Sequence, residues 1–179
     1  MAHKGFRQRE DNKMRQKIAE IIKSGQIGNL SSLGITYEGK LRHKNKENLV
    51  INCLAYTLNL HESDVYEDRC YELGADINFF VHVLEKLSET KLPIIGDIVV
   101  YFKEANYPTH AGKIIDIDPI IIRSSWGNLG LFTHDLWSVE PNYGNIVRFY
   151  KPIDLQDVEK LYEEKWKEKF SWLQKCISK

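Results

Sequence analysis

Cys53 is the residue of this sequence whose type and setting best suit covalent chemistry. The polar Asn52 precedes it and apolar residues follow it, which predicts that Cys53 lies in the first turn of a short helix. Backbone N–H groups and the helix dipole favour an anion there, so we expect a lowered thiol pKa and a nucleophilic sulfur. A single cysteine in an apolar helix is more often a core residue. Its chemical role therefore depends on a base elsewhere in the chain.

His110 is the candidate base, because it begins a predicted strand that would hold its imidazole rigidly. A thiol nucleophile needs such a ring within hydrogen-bond reach of its sulfur, to take the thiol proton. A third polar group then fixes the imidazole tautomer, and the N–H groups at a helix start can hold an oxyanion. A cysteine on a helix, followed by a histidine on a sheet, is the layout that this chemistry requires.

Asn52 and Trp126 are the candidates for binding a substrate. Asn52 either caps the Cys53 helix through its side chain, which we favour, or contributes its backbone to an oxyanion hole. Trp126 begins a glycine-containing loop and could line a substrate groove, although aromatic residues are more often part of a core. No Cys-x-x-Cys pair is present, and His61-Glu62 does not extend to the His-Glu-x-x-His pattern of zinc peptidases. We therefore predict no metal site and no cofactor.

The composition argues against several classes of protein. The 25 Lys and Arg residues balance 25 Asp and Glu residues, so the formal net charge is zero and no nucleic-acid partner is predicted. Three scattered cysteines, Cys53, Cys70 and Cys176, fit a reducing compartment rather than a disulfide framework. No apolar run approaches the length of about 20 residues that a membrane span needs. With no apolar signal-peptide core at the N-terminus, we expect a cytoplasmic protein, or one exported by a specialised secretion route.

The predicted elements form one domain of the α+β class. Residues 1–48 contribute a helix from Asp11 to about Gly25 and a basic loop, as part of the same domain. Residues 49–151 form the core, in which the Cys53 helix packs on an antiparallel sheet. Residues 152–179 form an amphipathic C-terminal helix, which packs either on the domain or on a protein partner.

Runs of β-branched and aromatic residues predict the strands of this core. The predicted strands cover residues 98–102, 110–116, 120–125 and 145–150. Glycine, proline and asparagine between these runs predict turns and longer connections. On the same grounds the predicted loops cover residues 26–39, 126–130 and 133–144.

Two of these strands carry a resemblance to a known family. Gly96–Phe102, followed by His110–Ile115, resembles the core of the NlpC/P60 superfamily of papain-like cysteine peptidases, in which a Gly-Asp-apolar strand precedes a His-apolar-Gly strand. The Asn-Cys-x-Ala motif at residues 52–55 stands in the place of the nucleophile. This motif, Thr-His-Ala at residues 109–111 and Tyr-Gly at residues 143–144 are similar to the motifs of a group of small bacterial proteins.

The resemblance also suggests where the third catalytic residue lies. In the superfamily it is on the strand after the histidine strand, which corresponds to Ser124 or Ser125 here, and we take Ser125 as the candidate. His134, in a predicted loop that could fold back on His110, is an equally favoured candidate. Asp116 would lie about 20 Å from His110 along one strand, so it is discarded.

The chain departs from the peptidoglycan hydrolases of the superfamily, because Asn-Cys-Leu at residues 52–54 replaces their Asp-Cys-Ser and cell-wall-binding repeats are missing. What the resemblance implies is a papain-like hydrolase that cleaves an amide bond of a peptide substrate. Cys53 would attack the carbonyl and His110 would transfer the proton. The alternatives are an inactive module that binds a protein partner, and an effector or toxin-type acyl-transfer enzyme.

Overall fold

An antiparallel sheet of seven strands, with helices on both faces, dominates the α+β fold of the computed structural model, which describes residues 2–43, 46–63 and 77–177. The helices are α1 (Ala2–Ser24), α2 (Cys53–Thr57), α3 (Ile77–Leu84) and α4 (Leu155–Ile177). The strands are β1 (Thr36–Gly39), β2 (Arg42–His43), β3 (Lys46–Val50), β4 (Glu89–Thr90), β5 (Ile98–Glu104), β6 (Tyr107–Ile117), β7 (Ile120–Ser125), β8 (Leu131–Asp135) and β9 (Ile146–Tyr150). Short 3-10 helices cover Ile27–Leu33, Leu60–Glu62, Gly127–Leu129 and Pro141–Tyr143.

The order of the strands decides which side chains become neighbours. The sheet has the spatial order β1-β8-β7-β6-β5-β9-β4, while β2 and β3 form a separate hairpin. Strands β5 to β8 are successive neighbours, and each pairs antiparallel with the next. Tyr101 is opposite His110 across β5 and β6, and Ile122 is opposite His134 across β7 and β8. His110 and His134 therefore lie on strands that are separated by β7 alone.

The strand β5 divides the core, because its side chains alternate between the two faces of the sheet. Ile98, Val100 and Phe102 pack in a cluster with residues of α2, α3 and α4. Val99 and Tyr101 pack in the other cluster, with residues of α1. Each of these side chains is at most 2% exposed. Burial on both faces explains why β5 is a continuous apolar run rather than an alternating pattern.

The C-terminal helix α4 packs on its own domain through its first turns. Val158 and Tyr162 are completely buried, and the ring of Tyr162 meets that of Phe79 in α3 edge-on, with 5.4 Å between centroids. Burying side chains of this size contributes about 1.5–3 kcal/mol each. The sequence leaves the domain and a partner as alternatives for this helix, and this part of it contacts the domain. None of the described helices combines the length and the apolar character that a membrane crossing requires.

Several segments differ from the sequence-based prediction. The helix α1 begins at Ala2 rather than at Asp11. Residues 26–39, predicted as a loop, contain a 3-10 helix and the strand β1. Residues 133–135 begin the predicted connection at 133–144, yet they belong to β8, which pairs with β7 on one side and with β1 on the other. Because β8 pairs with a strand on each side, its backbone is extended. Its Thr, His and Asp residues nevertheless make the segment resemble a loop in sequence.

Gly144 precedes β9 at a point where the backbone excludes a side chain. Its φ is 92°, and a Cβ there would lie 2.1 Å from the carbonyl oxygen of Phe102. We predict that Gly144→Ala lowers the free energy of unfolding by about 3 kcal/mol, because both the conformation and the contact become strained. Urea denaturation measures the loss. Gly28→Ala is the matched control, since a Cβ at Gly28 would meet no atom within 4 Å, and equal losses in the two variants would contradict the prediction.

Candidate active site

The segment before Cys53 is held by two hydrogen bonds. Asn52 is extended, and its Oδ1 accepts from the N–H of Ala55 at 2.9 Å, so Asn52 is the N-cap of α2. The hydroxyl of Ser125 donates to the carbonyl oxygen of Ile51. The capping interpretation of Asn52 is confirmed, and Cys53 occupies the first helical position.

Cys53 is a half-buried residue at the point where α2 packs on β6. Burial raises the pKa of this thiol to about 11, although the backbone N–H groups of Ala111, Leu54 and Cys53 itself act to lower it. The lowered pKa that the helix position predicts is therefore wrong in direction. The helix α2 has five residues, so its dipole is small, whereas removing a thiolate from water is costly.

A chain of hydrogen bonds runs from His110 across two further strands of the sheet. Nε2 of His110 lies 3.0 Å from the hydroxyl oxygen of Ser124, which lies 2.8 Å from Nε2 of His134. The indole N–H of Trp126 donates to the same oxygen at 2.9 Å. The two histidines and Ser124 are at most 1% exposed. The hydroxyl that contacts His110 is thus that of Ser124 and not that of Ser125, and His134 joins through Ser124 from a strand rather than from a loop.

The proton positions follow from the far end of this chain. Nδ1 of His134 lies 2.8 Å from the carbonyl oxygen of Asp135, which can only accept, so Nδ1 carries the proton and Nε2 of the neutral ring accepts. Ser124 therefore donates its proton to His134, and its oxygen accepts from Trp126 and from Nε2–H of His110. The lone pair of His110 then resides on Nδ1. Within the described part of the chain, no group hydrogen-bonds to that nitrogen.

Both histidines are neutral at physiological pH. Burial lowers the pKa of His134 to about 4, while the carbonyl of Asp135 acts in the opposite direction. Burial also lowers the pKa of His110 well below its ordinary value, and the neighbouring His134 lowers it further. A neutral His110 is the form that can accept a proton.

Tyr143 is a site residue that the sequence analysis did not select. Its ring stacks face to face on His110, with 4.0 Å between centroids and 8° between the planes. The hydroxyl of Thr109 donates to the carbonyl oxygen of Tyr143 and fixes its backbone beside β6. Burial raises the pKa of the Tyr143 phenol, and Cys53 acts in the same direction, so the phenol lies within electrostatic range of the thiol. The Tyr-Gly pair in the resemblance was the one signal for this residue.

Arg15 of α1 fixes the connection that carries Tyr143. Its buried guanidinium donates four hydrogen bonds to residues 139–145, at 2.7 to 3.1 Å. A charged residue on a helix ordinarily indicates a solvated face, so the sequence contains no local signal for this role.

The Cys53 thiol lies near the backbone that follows His110 and not near the imidazole ring itself. The thiol lies against the N–H of Ala111, the residue that follows His110. Cys53 packs with the cluster on the α2 face of the sheet, whereas Tyr143 packs with the cluster on the α1 face. Between the thiol and the imidazole, both within the described residues, there is no hydrogen bond in this conformation.

The remaining candidates of the sequence analysis have other positions. Trp126 is 5% exposed, and its ring packs 4.6 Å from that of Phe132. Trp126 therefore supports Ser124 from inside the domain instead of lining a substrate groove. Across the residues that the structure describes, no group of three or more His, Cys, Asp and Glu side chains could hold a metal ion. Cys70 lies outside those residues.

Comparisons of the chain with protein-family models, with curated proteins and with solved structures found no match. The resemblance to the NlpC/P60 superfamily therefore depends on the sequence motifs alone. What the site can do must be argued from its own geometry.

Buried neutral histidines make stability depend on pH with a definite sign. A histidine whose folded pKa is lowered binds a proton more readily when unfolded, so the stabilisation from His134 is complete above about pH 6.5 and is lost towards about pH 4. We predict that the free energy of unfolding falls over this interval by up to about 3 kcal/mol more in the parent than in His134→Gln. The glutamine oxygen preserves an acceptor for Ser124. Urea denaturation at a series of pH values measures the difference, and parallel profiles would contradict it.

Proposed function

We propose that this protein is a papain-like cysteine hydrolase of the NlpC/P60 type, which cleaves an amide bond of a peptide substrate through Cys53 and His110. The observation that carries the proposal is the hydrogen-bond chain from His134 through Ser124 to His110. In that chain Nε2 of His110 carries the proton, and Nδ1 keeps the lone pair. A buried imidazole with a fixed tautomer and one available basic nitrogen is what a thiol nucleophile requires.

The reaction begins from a neutral thiol and a neutral imidazole, because burial disfavours the charged form of each. As the Cys53 sulfur attacks the carbonyl carbon, its proton passes to Nδ1 of His110 and the carbonyl oxygen becomes an oxyanion. Collapse of this intermediate breaks the C–N bond, and the imidazolium gives the proton to the leaving amine. Water, deprotonated by His110, then hydrolyses the thioester and restores the thiol.

Ser124 and His134 position the base rather than touch the substrate. When His110 becomes an imidazolium, its Nε2–H donates to an oxygen that is itself polarised by donating to His134. A hydroxyl carries no charge, so it stabilises the imidazolium less than a carboxylate would. This weak stabilisation agrees with proton transfer during the attack and not before it.

The attack also requires the thiol to turn towards Nδ1 of His110. Because Ala111 faces Cys53 and the imidazole of the preceding His110 points to the opposite face of the sheet, where Tyr101 and Tyr143 contact it, this movement requires a shift of the backbone of α2 or β6 as well as a rotation about χ1. The backbone N–H of Cys53 is not used by the cap, since Asn52 Oδ1 accepts from Ala55 instead. The same N–H acts on the resting thiol, and once the sulfur has moved it can donate to the oxyanion.

A second candidate function is a non-catalytic module that binds a protein partner. Two observations favour it, namely the raised pKa of the Cys53 thiol and the missing hydrogen bond between Cys53 and His110. In that case Cys53 is a small apolar residue of the core, and the buried chain at Ser124 serves stability alone. The two functions differ in whether His110 changes the reactivity of Cys53.

The pH profile of Cys53 alkylation by iodoacetamide separates these functions. If His110 accepts the thiol proton, we expect His110→Ala to slow alkylation near pH 7 by about tenfold or more, while the remaining rate follows the raised pKa of the thiol. Peptide mass spectrometry isolates the rate at Cys53 from that at Cys70 and Cys176. If the parent and His110→Ala show the same rate and the same pH profile, the hydrolase proposal is contradicted and the binding module is favoured.

The adjacent serines provide a matched pair of variants. Ser124→Ala removes the oxygen that orients His110, so alkylation of Cys53 near pH 7 should slow by about tenfold. Ser125→Ala removes only the hydrogen bond to Ile51, so it should cost about 1 to 2 kcal/mol of stability and leave the pH profile unchanged. Stability alone does not distinguish the variants, because both hydroxyls are buried. The proposed positioning role fails if the two variants alkylate alike.

A further inference from the structure

A second group of polar side chains surrounds the ring of Tyr56, one helical turn along α2 from Cys53. We call it the Tyr56 cluster, and its members are Tyr56, Asn59, His61, Lys113 and Arg123. The ammonium of Lys113 lies 4.7 Å from the centroid of the Tyr56 ring, and the His61 ring lies 5.6 Å from it. Burial raises the pKa of the Tyr56 phenol to about 12, and Arg123 lies close enough to act in the opposite direction. The reaction proposed above uses none of these residues.

Lys113 carries a half-buried ammonium that no carboxylate neutralises directly. Its Nζ donates to Oδ1 of Asn59, and among the described residues no Asp or Glu oxygen lies within ion-pair distance of it. The neighbouring Arg123 is already paired with Glu38 at 2.9 Å. Burial, together with Arg123, lowers the pKa of Lys113 to about 8. Lys113 is thus still protonated at neutral pH, and its charge is poorly compensated.

His61, which packs on the same Tyr56 ring as Lys113, carries an unpartnered nitrogen. The residue is 9% exposed, and its Nδ1 makes no hydrogen bond to any group of the structure as described. Burial lowers the pKa of His61, Glu62 acts in the opposite direction, and Lys113 and His43 lower it further. Nε2 of the ring lies 3.5 Å from the largely exposed carboxylate of Glu62. An unmade hydrogen bond at this degree of burial is unfavourable, so its retention points to a ligand as the partner.

The Tyr56 cluster lies on the same face of the sheet as the thiol. Ala111, whose N–H lies against the Cys53 thiol, precedes Lys113 by two residues on β6, so both side chains leave the same face about 7 Å apart. Tyr56 follows Cys53 by three residues on α2, which puts the two on one helix face. A distance of about 7 Å is the length of two residues of extended peptide.

We propose that Lys113 and His61 form a subsite that binds a carboxylate of the substrate, about two residues from the bond that Cys53 attacks, so that the substrate is an acidic peptide. This inference rests on the proposed function and names its substrate class. The carboxylate accepts from the ammonium of Lys113 and, once the ring is protonated, from Nδ1–H of His61. Nε2–H then faces Glu62, and Arg123 remains with Glu38.

Two aryl disulfides of different charge test the subsite, and comparing the ratio of their rates between variants removes the intrinsic difference between the reagents. 5,5′-Dithiobis(2-nitrobenzoate) carries carboxylates and 4,4′-dithiodipyridine does not, and both react with a thiolate by disulfide exchange. At low ionic strength we expect Lys113→Met to slow the anionic reagent at Cys53 by about fivefold relative to the neutral reagent. The methionine keeps the packing of the lysine stem. Lys91→Met is the matched control, since Lys91 is exposed in the segment before β5, and it should leave the ratio of the two rates unchanged.

His61→Phe is the second variant, because it keeps a ring against Tyr56 and removes the unpartnered nitrogen. A ligand-binding role predicts an unchanged or higher melting temperature together with a lower ratio of anionic to neutral rates. A purely structural role predicts a lower melting temperature and an unchanged ratio. That second result, or an unchanged ratio in Lys113→Met, would overturn the proposal.

The failure of this subsite is distinguishable from the failure of the hydrolase proposal. The ratio of the two rates reports the local charge next to Cys53, whereas the pH profile of the neutral reagent reports the action of His110. If His110→Ala changes the profile but Lys113→Met leaves the ratio intact, the hydrolase proposal stands and the acidic substrate is discarded. If the profile is unaffected by His110→Ala, the proposed function fails, and with it the reading of the Tyr56 cluster as a substrate subsite.

Discussion

The hydroxyl oxygen of Ser124 is the point on which the rest of the site depends. It is completely buried, and its three hydrogen bonds join side chains from β6, β8 and the end of β7. A hydroxyl has one proton and two acceptor positions, so this oxygen has no spare capacity. Because His134 takes the proton, Trp126 and His110 must both donate. One backbone carbonyl, that of Asp135, therefore determines the tautomer of a histidine two strands away.

Desolvation is the second constraint, and its magnitude decides how the site could work. A thiol pKa of about 11 and an imidazole pKa below 6.5 separate the neutral pair from the ion pair by more than about 6 kcal/mol, before the attraction between the charges is counted. A resting thiolate and imidazolium are therefore disfavoured. General-base transfer during the attack avoids this cost, since the negative charge passes on to the carbonyl oxygen. The same burial that suppresses the resting nucleophile protects it from unrelated reactions.

Sequence reasoning succeeded where local chemistry determines the structure. The N-cap at Asn52, the helix that begins at Cys53 and the apolar strand at residues 98–102 follow from side-chain type and spacing. The choice between Ser124 and Ser125 does not follow from side-chain type and spacing. Successive residues of a strand point to opposite faces, so the choice depends on the register of β7 against β6, and a slip of one residue exchanges their roles. For the same reason, the sequence could not show that residues 131–135 are a strand that buries His134.

The N-terminal helix α1 supports the site through Arg15, a role that its sequence does not indicate. Arg15 is 3% exposed, and its hydrogen bonds all go to residues 139–145, whose Tyr143 ring stacks on His110. Burial lowers the pKa of this guanidinium from a very high starting value, so it stays charged and its donors must be satisfied. The carbonyls of residues 139–145 satisfy them, and the same contacts hold that connection against β6. Removing residues 1–48 would therefore leave the acceptors at residues 139–145 without this donor. The orientation of His110 is thus a property of the whole fold, in which α1 contacts the sheet through apolar side chains and through the buried cation of Arg15.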